Sequence, residues 1–130
     1  VTGQVPQQYK TLGLANLIGG LINVFIGGFV ASTVWSTVGG LCTGICTFGL
    51  CPFGVFMGLF GFLVVPLGMA EAALGLVTLL SPEATRPLWR ILPYGQCVAV
   101  LLGDFVSPIL GIVGMMMTRD PEVAAYIEGI

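Results

Sequence analysis

Residues 53–80 read FGVFMGLFGFLVVPLGMAEAALGLVTLL, and a single ionisable side chain, Glu71, stands among these 28 positions. An apolar run of about 18 residues already marks a candidate membrane span. As a straight helix this one is about 42 Å long, against a hydrocarbon core of about 30 Å. It must therefore tilt, bend at Pro66 or project beyond the lipid. Residues 12–35 and 95–118 are apolar to a similar degree, the latter with Pro108 inside it.

The composition of the whole chain agrees with these runs. Of 130 residues 56% are hydrophobic and 8% are charged, and the mean hydropathy is +1.04. A soluble domain carries about 25% charged residues to cover its surface, which this chain lacks. The expected fold class is an all-α integral membrane protein of three Gly-rich transmembrane helices, with four as the alternative, and short interfacial helices. It forms one membrane domain, residues 1–130. A net charge of −2 without a basic patch argues against nucleic acid. Residues 12–32 imitate a signal peptide, but their apolar stretch is longer than the usual 7–15 residues, so a retained first helix is expected.

Between the runs lie shorter signals. Residues 38–52 are apolar, rich in Gly and Cys and uncharged, and are expected to form an outer hairpin or re-entrant piece. Ser81-Pro82-Glu83 opens an interfacial helix over 82–92 with a hydroxyl cap, an N1 proline and a first-turn acid. Arg86, Trp89, Arg90 and Tyr94 are expected as interface anchors among lipid headgroups. In the tail, 119–130, Asp120-Pro121-Glu122 repeats the start signal. Val123, Tyr126, Ile127 and Ile130 then form one apolar stripe. With three spans Lys10, Arg86 and Arg90 share one side and Arg119 takes the other. Four spans would split them evenly. The positive-inside rule thus favours three, with a cytoplasmic N-terminus.

Small residues supply the strongest pattern. Gly54, Gly58, Gly61, Val65, Gly68, Ala72 and Gly75 follow spacings of 4, 3, 4, 3, 4, 3. The first span carries Ala15, Gly19, Asn23, Gly27 and Ala31, and the last Ala99, Gly103, Ser107 and Gly111, each four apart. Within lipid, helices associate through close backbone contact and interhelical hydrogen bonds. These stripes are therefore expected to pack, within the chain or against other transmembrane subunits or copies of it.

Glu71, Asp104, Asn16 and Asn23 are the polar residues expected at membrane depth. A carboxylate there costs about 3 kcal/mol on insertion scales, so it must face protein or water or be protonated. Interhelical contacts fixing register are one role for them; a proton or cation path is another. Cys42, Cys46 and Cys51 are a candidate disulfide group, with a free buried thiol as the alternative. Cys97 is a candidate for acylation. Their spacing is not that of a zinc or iron–sulfur site, and the chain has no histidine. Phosphate- and dinucleotide-binding loops and nucleophile elbows are absent too. The expected function is therefore a non-enzymatic structural or accessory subunit of a membrane assembly or homo-oligomer. No cofactor is expected, although lipid is a natural ligand. A channel or transporter component using Glu71 and Asp104 is the alternative, and a membrane-disrupting or scaffold protein is a third.

Overall fold

The computed structural model describes residues 4–47 and 58–129, and among them every regular element is a helix. Helix α1 spans Gln7–Ile22 and passes through a π-helical turn, Asn23–Gly27, into α2, Gly28–Thr47. A helical turn over 58–61 leads to α3, Val64–Leu80. Then come α4, Pro82–Thr85, a 3₁₀ turn Leu88–Arg90, and α5, Leu92–Val98, which tightens into a second 3₁₀ turn, Ala99–Leu102. Helix α6 is Val106–Thr118 and α7 is Pro121–Glu128.

Two helical stretches, Gln7–Leu41 and Gly58–Leu80, are long and apolar enough to cross a membrane. The run expected as a third span is not one helix. It divides into two shorter apolar pieces, Leu92–Leu102 and Val106–Thr118. Gly103 causes the break, with a left-handed φ of +79° that terminates the 3₁₀ turn. Pro108 lies in the first turn of α6, where its missing N–H has no intrahelical partner to lose. Pro66 likewise lies in the first turn of α3, and the irregularity falls just upstream at Phe62 and Leu63. There, amides reach back three residues rather than four, as in Leu63 N to Phe60 O at 3.0 Å.

Two further boundaries differ from expectation. The hairpin expected from residue 38 is helical as far as Thr47, because nothing in that stretch of Gly, Cys and Thr breaks a helix outright. The rest of it, with Cys51 and Gly54, lies outside the described residues, as do the side chains of Cys42 and Cys46. The interfacial helix expected over 82–92 is instead the single turn of α4, the 3₁₀ turn and the start of α5. Pro87 and Pro93 remove the donors that one continuous helix would need.

Glycine sets how closely the helices approach. Helices α1 and α3 run antiparallel, with Gly13 opposite Gly75 and Thr78, and Gly20 opposite Gly68 and Ala72. A Cβ on Gly68 would stand 2.7 Å from the Gly20 carbonyl oxygen, and one on Gly20 would strike the Ala72 amide nitrogen. Farther along, Gly61 meets Ala31 and Ser32, and Gly58 meets Ser36. Gly19 lies against Leu110 of α6, and Gly111 against Pro93 and Cys97 of α5. The described seam glycines therefore contact other helices of the same chain. On α3 the buried line runs through Val64, Gly68, Glu71, Gly75 and Thr78, which puts Glu71 on the packed face and leaves Val65 and Ala72 at its flank.

One end of the bundle closes on an apolar core of Tyr9, Leu12, Trp89, Val123 and Ile127. Trp89, expected among headgroups, is 1% exposed and donates its indole N–H to Thr78 Oγ1 at 3.2 Å. Tyr94 and Arg90 are exposed, and Arg86 sits 4.0 Å over the Tyr126 ring while pairing with Glu83 at 3.5 Å. The tail signal forms α7, whose Asp120 carboxylate accepts from the Glu122 amide at 3.0 Å. Val123 and Ile127 of its stripe are buried. Tyr9 ties this end together through a 2.8 Å hydrogen bond with Thr85 Oγ1 and donation to the Pro82 carbonyl at 3.1 Å. Tyr9→Phe is expected to cost about 1 kcal/mol, the net worth of a buried hydrogen bond. The unfolding midpoint of the purified variant checks it.

Candidate functional site

The polar residues of the apolar segments converge. Asn16 and Asn23 come from the first helix, Glu71 from α3, Gln96 from α5, and Asp104 and Ser107 from the break before α6 and its first turn. All six are at most 2% exposed. Asn23 is the hub. Its Nδ2 lies 3.1 Å from Glu71 Oε2, 3.0 Å from Asp104 Oδ2 and 2.8 Å from Ser107 Oγ. Gln96 Nε2 donates to Glu71 Oε1 at 3.0 Å and to Asn16 Oδ1 at 2.6 Å, and Asn16 Nδ2 donates to the Leu12 carbonyl at 3.2 Å. The Ser107 hydroxyl donates to Asp104 Oδ2.

Two departures from regular helix place these groups. The π turn begins at Asn23. In a uniform α-helix, residues four apart rotate about 40° per step off a common face. The wider turn keeps Asn23, Gly27 and Ala31 all buried, and π turns of this kind recur at functional sites. At the second departure Gly103 turns the chain, and Asp104 then caps α6. Its Oδ1 accepts from the amides of Val106 at 2.8 Å and Ser107 at 3.2 Å. An anion at a helix N-terminus gains from the free amides and from the helix dipole.

The charge balance of the cluster is unusual. Among the described residues no lysine or arginine bonds to it, and the ion pair found, Arg86 with Glu83, lies elsewhere. Two amide oxygens of the cluster, Asn23 Oδ1 and Gln96 Oε1, are buried without a donor. No group of three or more Cys, His, Asp or Glu suited to a metal ion occurs among the described residues.

The sequence singled out Glu71, Asp104, Asn16 and Asn23 for depth alone, and the fold brings all four together. Ser107, expected only as a packing position, is a member through its hydroxyl. Gln96 was not anticipated. Its signal was modest: with Pro93 and Ala99 it falls at spacings of three on one buried face. Gly103 packs against Trp35 and Ala31 and turns the chain, so its role is conformational as well as steric. Cys97 is half-buried against Gly111. Comparison of the chain with protein-family models, curated proteins and solved structures gives no match, so the functional reading rests on this geometry.

Proposed function

We propose that the chain is a multi-pass integral membrane bundle without enzymatic activity, acting as a structural or accessory subunit of a larger membrane assembly or as a homo-oligomer. One observation carries this reading: polarity is distributed inside out. Phe25, Phe29, Leu80 and Ile91 are each more than 70% exposed, while Asn16, Asn23, Glu71, Gln96, Asp104 and Ser107 are interior. Water penalises that arrangement and lipid favours it. Because the described seam glycines are occupied within the chain, partners would meet the outer Phe, Leu and Ile surface. The three-to-one split of basic residues expected from a straight third span does not hold, because the chain turns at Gly103 and α6 returns beside α5, so that Thr118 lines one cavity with Arg90. Lys10, Arg86, Arg90 and Arg119 share the end closed by Tyr9, Trp89 and α7, which would be the cytoplasmic side. Gentle native extraction followed by identification of co-purifying chains is the test. A fixed stoichiometry with other subunits or copies is expected, and a lone monodisperse monomer would contradict it.

A second reading, a proton or cation path using Glu71 and Asp104, is favoured by the coincidence of the polar cluster with a π turn and a broken helix. Discontinuous helices supply binding groups at the midplane of many transporters. In proteoliposomes, Glu71→Gln and Asp104→Asn are expected to reduce flux at least tenfold while leaving the bundle assembled. Undiminished flux would remove both carboxylates from the path.

A further inference from the structure

We infer that the buried cluster is a binding site for one exchangeable proton, carried by the Glu71 carboxyl and held beside Asp104. The inference deepens the proton reading above, but the site does not depend on there being a route through the molecule.

The first argument is charge. Glu71 Oε2 and Asp104 Oδ2 both touch the Asn23 amide nitrogen, at 3.1 and 3.0 Å. Two carboxylates this close, shielded from water and without a cation, share a proton rather than both ionise. The groups facing them are Asn16 and Asn23 from the first helix, Gln96 from α5 and Ser107 from α6. None of these titrates, so the pair must settle its charge alone.

The second argument is asymmetry. Asp104 is held by the amides of Val106 and Ser107, the Ser107 hydroxyl and the Asn23 amide. Two of those donors are backbone amides of the α6 N-terminus, held in place by the helix itself. Glu71, in the interior of α3, is met by side chains, the amides of Asn23 and Gln96 and the hydroxyl of Ser107, and by no helix N-terminus. The proton therefore belongs to Glu71.

The third argument is independent of both. The two amides that hold Glu71 each carry an oxygen with no donor, Asn23 Oδ1 and Gln96 Oε1, on residues 0% and 2% exposed. Buried acceptors left unpaired are costly, so the cluster is short of donors, a shortage that ionising both carboxylates would deepen. A proton fits better than a sodium ion, because Asn23 Nδ2 already fills the position among the Glu71, Asp104 and Ser107 oxygens that a metal would need.

Infrared spectroscopy of the full chain in lipid nanodiscs at neutral pH tests the site. A protonated-carboxyl stretch is expected, shifted by ¹³C labelling of glutamate side chains and untouched by labelling of aspartate. Glu71→Gln, which preserves the shape of the neutral acid, is expected to fold and to lose the band. An absent band in the unmodified chain, or a band that moves with aspartate labelling, would overturn the assignment. So would a band abolished when sodium replaces choline, since a metal would then be the occupant. A band that follows Glu71 in a chain without proton flux supports the site and removes the path reading.

Discussion

Valine in place of Gly20 is expected to destabilise the bundle by about 3 kcal/mol, the upper end of the cost of overpacking a core. Its Cβ would strike the Ala72 amide nitrogen and stand 2.5 Å from the Gly68 carbonyl oxygen. Both obstacles are backbone of α3, so no rotamer change relieves them, and α1 and α3 must separate. Separation would also weaken Asn23's grip on Glu71, which lies one turn farther along the same interface. Gly40→Ala is the control. Nothing lies within 4 Å of its Cβ position in the interior of α2, so a gain of about 0.5–1 kcal/mol from helix propensity is expected. Reversible unfolding in mixed micelles measures both. Equal responses at the two positions would show that close helix contact is not what these glycines provide.

The Asn23→Leu variant is expected to cost about 3 kcal/mol, because it removes donors from a buried network instead of merely deleting a contact. Glu71 Oε2 would lose the Asn23 amide, and Asp104 Oδ2 would keep only the Ser107 hydroxyl. If the cost comes from unpaired acceptors, replacing the partner as well should recover part of it. Asn23→Leu combined with Glu71→Leu is therefore expected to be less destabilised than the sum of the single changes, by about 1–2 kcal/mol. Additive effects would mean that the two side chains do not interact in the folded protein.

Much of this architecture was legible in the sequence, and the parts that were not have definite physical reasons. Hydropathy located the long apolar helices, because burying or lipid-solvating so many apolar residues leaves few alternatives. The small-residue rows anticipated where α1, α3, α5 and α6 approach. Small residues alone trace the seam on α3 through Val65 and Ala72, whereas the packed line runs through Val64 and Glu71. A heptad has room for either neighbour, and size alone selected the smaller one. The interhelical hydrogen bonds to Asn23 and Gln96 decide it for Glu71. The break at Gly103 was hidden because a glycine four residues from Ser107 reads equally well as a packing position or a turn. Pro108 drew attention to the wrong side of it. The π turn at Asn23 has no local signal at all. It emerges from tertiary packing, which keeps Asn23, Gly27 and Ala31 facing inward. Trp89 looked like a headgroup anchor beside two arginines, and only the folded chain reveals the hydroxyl of Thr78 waiting for its indole.

Spin labels of known depth would test the central claim, that the exposed apolar surface faces lipid and the polar cluster is the interior. With the four cysteines replaced by alanine, single labels are placed at Phe29, which is 72% exposed, and at Glu128, exposed at the end of α7. In lipid bilayers the Phe29 label is predicted to collide freely with oxygen and rarely with a water-soluble nickel chelate, while the Glu128 label shows the reverse. A Phe29 label as open to the chelate as Glu128 would contradict the account.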